Sequence, residues 1–183
     1  MKLIETDFSD AFSIELDIFR DERGFFTESY NKQLFKNNNL DFNFVQDNHS
    51  LSLKSGVIRG LHYQLSPMAQ TKLVHVLTGA IYDVIVDIRK NSKTYGKWQG
   101  FILSEENKRH LLVPRGFAHG ICTLVDNTQV FYKVDNYYSP AHDSGIIWND
   151  TTLKIDWPIS NPILSEKDKR LKTFVEVDGN EIL

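Results

Sequence analysis

The chain has 183 residues, 41% of them hydrophobic and 12% aromatic, which is enough for one well-buried core and short for two. Its formal net charge of −3 lacks the basic surplus that is typical of nucleic-acid binding. No apolar run approaches the ~18 residues of a membrane span, and the first segment, MKLIETDFSD, has no apolar signal-peptide core. We therefore expect one domain, residues 1–183, that binds neither nucleic acid nor a membrane.

The chain contains a single cysteine, Cys122. It cannot form an internal disulfide, so we expect the protein to work in the reducing cytoplasm. Because cysteine is among the most buried residue types, we interpret Cys122 as a small core side chain on a strand rather than a nucleophile.

Apolar residues mostly recur with a period of two, in short segments bounded by Gly, Asn, Asp and Pro. In chain order this pattern predicts strands at residues 13–19, 24–28, 44–51, 56–63, 72–77, 80–88, 97–103, 108–113, 121–125 and 129–135. The dipeptide Thr78-Gly79 predicts a tight hairpin turn. Short helices are predicted at 31–36 and 165–170, the second with Ser165 as N-cap and Asp168 as the acidic half of a capping box. The pattern favours an all-β, cupin-type jelly-roll barrel with a few short helices.

Two histidine motifs stand out in these predicted strands and the turns beside them. They are Gly56-Val-Ile-Arg-Gly-Leu-His62-Tyr-Gln64 and Pro114-Arg-Gly-Phe-Ala-His119. Together they resemble the metal-binding cupin pattern G-x5-H-x-H followed by P-x-G-x2-H, but Gln64 replaces the second histidine. The carboxylate expected shortly afterwards is also missing, since Met68 and Ala69 stand there. We therefore predict no metal, and a histidine free of a metal is suited to proton transfer because histidine titrates near neutrality.

Strand alternation predicts which side chains share a face with the first histidine. A regular strand places His62 with Gly60 and Gln64, and Arg59 on the opposite face unless a bulge intervenes. A lone histidine on such a face is commonly a satisfied core residue. The neighbouring predicted strands, however, carry further polar residues that an apolar interior would not tolerate unpaired: Lys72, His119, Tyr132 and Lys133.

The motifs taken together resemble the dTDP-4-dehydrorhamnose 3,5-epimerase family, and the resemblance covers essentially the whole chain. Its landmarks are Arg23-Gly-Phe-Phe-Thr-Glu-Ser29, Val45-Gln-Asp-Asn48, Ile58-Arg-Gly-Leu-His-Tyr-Gln64, Lys72-Leu-Val74, Gly79-Ala-Ile-Tyr-Asp-Val84, Val113-Pro-Arg-Gly-Phe-Ala-His-Gly120, Tyr132-Lys133, Trp148-Asn-Asp150, Ile155-Asp-Trp-Pro158 and Leu164-Ser-Glu-Lys-Asp168. The resemblance implies a homodimeric jelly roll with exchanged N-terminal strands. It also implies inversion of C3 and C5 of a dTDP-linked 4-keto-6-deoxyhexose without a cofactor.

Removing a proton next to a ketone needs a base, an opposing acid and a group that stabilises the enolate. The resemblance implies that His62 is the base and that Asp168 orients it, although Asp168 is equally compatible with a helix cap. It implies that Tyr132 returns a proton from the opposite face, against the alternative of a packed core aromatic. Lys72 would stabilise the enolate at O4, against the alternative of a solvated lysine at a strand end.

The nucleotide accounts for most of the remaining polar residues. The fixed fork of arginine donors suits a diphosphate, and we select Arg59 and Arg23, the latter alternatively a surface ion-pair partner. By resemblance, further substrate-binding residues are Glu28, Gln46, Asp47, Asn48, His119, Asp143 and Lys167, some of them acting across the dimer interface. Phe26 and Tyr138 either stack on thymine or pack in the ordinary way.

Three alternatives stay open at this point. A metal-dependent cupin oxygenase or isomerase would need a fuller ligand set. A non-catalytic sugar-nucleotide-binding jelly roll would keep Arg59 and the aromatics but would have no use for the four proposed catalytic residues together. An epimerase acting at C3 alone, or on another nucleotide-linked 4-keto-6-deoxy sugar, would share the same motifs.

Overall fold

The computed structural model describes residues 1–177. Within them the chain forms β1 (Lys2–Glu5), β2 (Phe12–Glu15), β3 (Phe19–Asp21), β4 (Gly24–Phe26), β5 (Gln46–Ser52), β6 (Ile58–Gln64), β7 (Lys72–Thr78), β8 (Ala80–Asp87), β9 (Trp98–Ser104), β10 (His110–Val113), β11 (Phe117–Thr123), β12 (Thr128–Val134) and β13 (Asp143–Gly145). It also forms one short helix, α1 (Lys32–Asn37), and two 3₁₀ turns, Asp168–Arg170 and Phe174–Glu176. The predicted all-β class is confirmed. No helix in this part of the chain is long and apolar enough to cross a bilayer.

The strands form two antiparallel sheets and a separate β3–β4 hairpin. The six-stranded sheet has the order β1-β2-β10-β7-β12-β5, and the five-stranded sheet has the order β13-β6-β11-β8-β9. Strands that are consecutive in the chain repeatedly belong to different sheets, which is the connectivity of a jelly roll. This arrangement brings β6 and β11, which carry the two histidine motifs, side by side.

Apolar side chains fill much of the space between the two sheets. This inter-sheet cluster includes Val74, Val76, Ile81, Ile85, Leu103, Leu111, Val113, Phe117, Ile121 and Val130. The outer face of the five-stranded sheet is covered by the C-terminal segment, which contributes Trp157 and Phe174. Part of the outer face of the six-stranded sheet is covered by α1 and the loop after it, through Phe35 and Leu40.

Most predicted strands are present with shifted ends, but some differences are larger. The predicted strand 13–19 is divided between β2 and β3, and the predicted strand 121–125 begins earlier, as β11. The sequence does not predict β1 or β13, because pairing with β2 and β6 defines these short segments rather than their own composition. The predicted helix 165–170 is wrong in extent, since only the turn Asp168–Arg170 is helical.

Two local predictions are confirmed by the geometry. The Thr78-Gly79 turn joins β7 directly to β8, and Gly79 has a φ of 83°. A Cβ at Gly79 would lie 2.5 Å from Thr128 Oγ1, so glycine is required there. The helix predicted at 31–36 is α1, and the Asn31 side chain caps it by accepting the N–H of Leu34 at 3.1 Å.

Cys122 lies on β11 and is 1% exposed. Burial raises the pKa of its thiol to about 11. The thiol is therefore protonated at neutral pH, and the interpretation of Cys122 as a core side chain is confirmed.

Candidate active site

A polar cavity of about 330 Å³ opens between the two sheets. Strands β5, β7 and β12 line one side of it, β6 and β11 line the other, and residues of the C-terminal segment close it. The predicted site residues that lie around this cavity are Gln46, Asn48, Arg59, His62, Lys72, His119, Tyr132, Tyr138, Asp143, Lys167 and Asp168. Its size is that of a site for a small organic ligand.

A bulge in β6 decides which of its side chains face the cavity. His62 pairs with His119, whereas three residues earlier Arg59 pairs with a residue only two positions further along β11. The alternation-based prediction that Arg59 faces away from His62 is therefore wrong, because both line the cavity. Leu61, between them, packs into the core on the opposite face of the sheet.

Gly60 permits this bulge. Its φ is 129°, a conformation that other residues rarely adopt, and a Cβ there would lie 2.6 Å from the Cα of Gly120. The glycine inside the motif Ile58-Arg-Gly-Leu-His62 is thus the visible signal for the irregularity, since an isolated glycine in a strand pattern often marks a bulge.

His62 is paired with a buried carboxylate from the C-terminal segment. Its Nε2 lies 2.6 Å from Asp168 Oδ1, and the Ser165 hydroxyl donates to Asp168 Oδ2 at 2.7 Å. Burial raises the pKa of Asp168, but the hydrogen bonds from His62 and Ser165 outweigh burial and hold that pKa below its usual value. An ionised carboxylate can only accept, so Nε2 of His62 carries a proton and Nδ1 is the nitrogen left to act as a base.

Ser165 lies just before the 3₁₀ turn that carries Asp168, and the N-cap of that turn is Lys167, without a side-chain cap. The predicted N-cap role of Ser165 is therefore wrong, although its hydroxyl accepts the N–H of Asp168 at 3.0 Å and donates to one oxygen of the same carboxylate. Of the two predicted uses of Asp168, the structure shows the pairing with His62 and not a capping box. The turn holds the carboxylate in place while its other oxygen contacts the histidine.

A second histidine–carboxylate pair lies beside the first, and its acid was not identified from the sequence. His119 Nε2 lies 2.9 Å from Asp83 Oδ1. Asp83 is fully buried on β8, and its Oδ2 has no hydrogen-bond partner among residues 1–177. Alternation along β8 offered a signal, since Asp83 shares the face of Ile81 and Ile85, which pack between the sheets. A carboxylate at such a position needs a charged or polar partner.

Lys72 places a positive charge in the cavity. It is 9% exposed on β7, and its Nζ donates to the main-chain oxygen of His62 at 3.2 Å. Burial lowers the pKa of Lys72 to about 8, while the carboxylates of Asp83 and Asp143 act in the opposite direction. The alternative of a solvated lysine at a strand end is therefore wrong.

Tyr132 faces the cavity from the six-stranded sheet, opposite the sheet that carries His62. Its ring packs against the inter-sheet cluster. Burial raises the pKa of the phenol above its usual value, although the charge of Arg59 acts the other way. The hydroxyl therefore carries a proton throughout the neutral range, as a proton donor must.

Tyr138 and two charged residues form the rim of the cavity. The Tyr138 hydroxyl donates to Asp143 Oδ2 at 2.8 Å, and Lys167 forms an ion pair with the same carboxylate oxygen. The main-chain N–H of Tyr138 donates to Gln46 Oε1 at 3.1 Å. Arg59 lines the same cavity, and its guanidinium donates to main-chain Leu51 O at 3.2 Å and to Ser52 Oγ at 3.3 Å.

The remaining predicted substrate-binding residues lie away from this chain's own cavity: Arg23, Phe26, Glu28 and Asp47. The first two lie on the exposed β3–β4 hairpin, and Glu28 lies in the loop after it. Asp47 alternates with its neighbours along β5, so it faces outward and pairs with Lys133 at 2.8 Å. That these residues contribute to the site of a partner subunit stays a prediction.

Gln64 stands where the cupin pattern has its second histidine. Among residues 1–177, its side-chain amide forms hydrogen bonds with main-chain groups of Met68, Tyr137 and Ser139. Within residues 1–177 no group of three or more His, Cys, Asp or Glu side chains is arranged to hold a metal ion. The hydrogen bonds of the Gln64 amide are thus made with the protein backbone.

Comparison with known proteins identifies the family of the chain. The profile of the dTDP-4-dehydrorhamnose 3,5-epimerase family matches residues 5–176. A dTDP-4-dehydrorhamnose 3,5-epimerase of Shigella flexneri is 51% identical over 179 residues, which cover 97% of this chain and 98% of that protein. The crystal structure of a Bacillus anthracis dTDP-4-dehydrorhamnose 3,5-epimerase, with TDP and PPi bound, is 59% identical with a TM-score of 0.93, covering 94% of this chain and 98% of that one.

A second solved structure is that of a Legionella pneumophila dTDP-6-deoxy-D-glucose-3,5-epimerase in complex with dTDP-4-keto-L-rhamnose. It is 43% identical with a TM-score of 0.94, and the match covers 99% of this chain and 96% of that one. Both the sequence profile and the near-complete structural overlap point the same way. The chain belongs to the dTDP-4-dehydrorhamnose 3,5-epimerase family.

Proposed function

We propose that the protein inverts C3 and C5 of dTDP-4-dehydro-6-deoxy-D-glucose and so forms dTDP-4-dehydro-L-rhamnose in dTDP-L-rhamnose biosynthesis. Membership of the family supports the substrate and the reaction class. The observation that carries the assignment of the site is the convergence of a carboxylate-paired histidine, a buried lysine and a phenol on one cavity.

His62 acts as the base at each centre. Its Nδ1 removes the proton next to the C4 ketone, and the electrons of the broken C–H bond move into an enolate whose charge develops on O4. Asp168 holds the ring and stabilises the imidazolium that forms, because its carboxylate lies 2.6 Å from Nε2. No redox step is needed, so the chemistry requires no cofactor.

Lys72 and Tyr132 complete the reaction. Lys72 opposes the negative charge on O4, and the low exposure of its ammonium group makes this attraction stronger than it would be in water. Tyr132 returns a proton to the face opposite His62, since the two residues belong to facing sheets. Removal from one face and return to the other inverts the centre. His119 holds the sugar from the same sheet as His62.

The nucleotide lies towards the rim. Arg59 carries the charge for the diphosphate, and Tyr138 offers an aromatic face for the base. Asp143, Lys167, Gln46 and Asn48 supply the polar contacts around it.

We further propose a homodimer with exchanged N-terminal strands. Large apolar side chains are exposed on the β3–β4 hairpin and on the outer face of the six-stranded sheet: Phe19, Phe25, Phe26, Leu51 and Leu77. Exposed groups of this kind mark protein–protein contact surfaces. Exchange would carry Arg23, Phe26 and Glu28 to the partner's cavity. Sedimentation should give a dimer, and a fully active monomer would contradict the exchange.

The absence of a disulfide-forming cysteine pair supports work in the cytoplasm.

The experiment that tests the function is incubation with dTDP-4-dehydro-6-deoxy-D-glucose in D2O, followed by NMR of the C3 and C5 positions. We expect deuterium at both carbons and the L-rhamno configuration in the product. Deuterium at C3 alone would assign a C3-epimerase, and binding of dTDP without any exchange would assign a non-catalytic binding protein. Activity lost on EDTA dialysis and restored by zinc or iron would favour a metal-dependent cupin.

A further inference from the structure

Gln64 holds the chain on both sides of Tyr138. It is 6% exposed, its Oε1 accepts the N–H of Ser139 at 2.7 Å, and its Nε2 donates to the main-chain oxygen of Tyr137 at 3.1 Å. The same Nε2 donates to Met68 O at 2.6 Å. A glutamine amide has two donor hydrogens, and here both are directed at main-chain carbonyls. The side chain thus ties the end of β6 to a segment far away in sequence.

The tied segment, residues 136–142, has no strand or helix of its own. It carries Tyr138, whose ring stands at the rim with its hydroxyl on Asp143 and its N–H on Gln46. Because the two peptide groups that flank Tyr138 both bond Gln64, the glutamine fixes the backbone from which the ring projects. The main chain of Gln64 also pairs with that of Asp143 across β6 and β13, so both rim residues lie next to this position of β6.

We propose that Gln64 is a positioning residue that sets Tyr138 for binding of the nucleotide end of the substrate. The inference rests on the proposed function, in which Tyr138 contacts the base. The side-chain amide of Gln64 stands where the cupin pattern has a metal ligand. We call it a clip, because it holds the segment that carries Tyr138 at the rim of the cavity. A loop held in its bound conformation loses less freedom when ligand arrives, so the clip acts on affinity rather than on the proton transfers.

The chemistry is expected to stay intact without the clip. His62 is two residues before Gln64 but is held by Asp168 and by the pairing of β6 with β11. Loss of the clip therefore weakens binding equally in the ground state and in the transition state, which raises KM and leaves kcat unchanged.

The test uses Gln64→Met, which keeps the length of the side chain and removes both kinds of hydrogen bond. We expect the Kd for dTDP and the KM for the sugar nucleotide to rise about tenfold, with kcat within about threefold of wild type. Gln99→Met, on β9 away from the cavity, is the matched control and should leave all three constants unchanged. A fall in kcat at constant KM would overturn the proposal.

A double mutant separates a clip on Tyr138 from general loosening of the fold. In a Tyr138→Ala background, Gln64→Met should cost no further dTDP affinity, because the ring that it positions is gone. Additive losses would overturn the proposal. Hydrogen exchange at the Ser139 amide, measured without ligand, should be faster in Gln64→Met than in wild type, and unchanged protection would also count against the clip.

The same measurements distinguish a failure of the proposed function from a failure of the clip. If the wild-type protein binds no dTDP and turns over no sugar nucleotide, the function is wrong, while the Ser139 exchange still reports whether the clip exists. If wild type is active and Gln64→Met matches it in Kd, KM and Ser139 exchange, the clip alone is wrong.

Discussion

The two histidine–aspartate pairs of the cavity use the same atoms in different surroundings. Both histidines meet their carboxylate through Nε2, at 2.6 Å in the pair His62–Asp168 and at 2.9 Å in the pair His119–Asp83. The His62 side chain is 30% exposed and that of His119 is 11% exposed. Asp168 accepts a second hydrogen bond, from Ser165, whereas the second oxygen of Asp83 has no hydrogen-bond partner in residues 1–177.

The difference teaches that a short contact between a histidine and a carboxylate does not by itself define a catalytic base. We propose that the pair His62–Asp168, with the more open ring and the fully bonded carboxylate, is the one that meets substrate and takes up its proton. We propose that the deeper pair, His119–Asp83, with a buried acid whose charge acts on Lys72, shapes the charge of the cavity. Seven substitutions and the pH dependence of activity test this division of roles.

Replacing each histidine by alanine should reveal the largest kinetic difference between the two pairs. We expect His62→Ala to lower kcat by at least about 10³-fold and to abolish deuterium exchange at both carbons, because general acid–base groups contribute about 10² to 10⁴ and His62 serves both centres. His119→Ala should act mainly on KM. Circular dichroism would establish that both variants are folded. Comparable kcat losses in the two variants would contradict the comparison.

The next largest effect is expected from Asp168→Asn. An asparagine can donate to Nε2 through its amide, which would move the histidine proton to Nδ1 and remove the base, so we expect kcat to fall about 10² to 10⁴-fold. Ser165→Ala, which removes the other partner of the same carboxylate, is the milder companion variant and should cost far less. Steady-state kinetics on the two proteins would compare them. Equal losses would indicate that the turn, not the tautomer, is what matters.

Tyr132→Phe should separate proton exchange from inversion. The base and the enolate site are intact in this variant, so solvent deuterium should still enter next to the ketone, while net inversion at C5 should fall by about 10²-fold. NMR in D2O measures the two rates on one sample. Parallel loss of both would assign Tyr132 to binding or enolate stabilisation, and no loss of either would make it a packed aromatic.

Local sequence predicts the two histidines but neither of their acids, for a physical reason. His62 and His119 could be predicted because each lies in a short local motif whose spacing is set by one strand and the turn before it. Asp83 was missed because its partner lies on a different strand, and only the pairing of β8 with β11 brings the two together. Asp168 was assigned by family resemblance, since nothing local to residue 168 distinguishes a cap from a histidine partner.

The side-chain direction of Arg59 could not be predicted either, although it depends on a single strand. Alternation predicts side-chain direction only while a strand stays in register, and the register of β6 is broken by its close approach to β11 at Gly60. The fold class needed only the period-two pattern and the turn residues, so it was predictable. Site geometry depended on contacts between segments, so it was predictable only in part.

Loss of the charge on Lys72 should make kcat fall at alkaline pH, and we call this fall the alkaline limb of the pH profile. Burial lowers the pKa of Lys72 to about 8, and the protonated form is the one that opposes the enolate charge. The contribution of Lys72 to activity should therefore be complete below this pKa, and activity should fall about tenfold per pH unit above it, since neutral Lys72 has no charge to oppose the enolate. The kcat of Lys72→Met should be low and should lack this limb. A wild-type limb near the ordinary lysine pKa of about 10.4 would show that burial does not perturb the group in solution.

Asp83→Asn should give the smallest change at neutral pH and the most specific one. The amide oxygen can still accept the hydrogen bond from His119, and the amide N–H₂ would take the place of Oδ2, which has no hydrogen-bond partner in residues 1–177. The negative charge is lost, while the hydrogen bond from His119 is kept. Because that charge raises the pKa of Lys72 against burial, its removal should move the alkaline limb to lower pH, with kcat at pH 7 reduced by no more than about tenfold. Profiles of wild type and Asp83→Asn, measured side by side, give the displacement directly. A limb that stays in place while kcat falls by orders of magnitude would mean that Asp83 acts by fixing the His119 tautomer, as Asp168 is proposed to act on His62, and the two pairs would then be alike in role as well as in geometry.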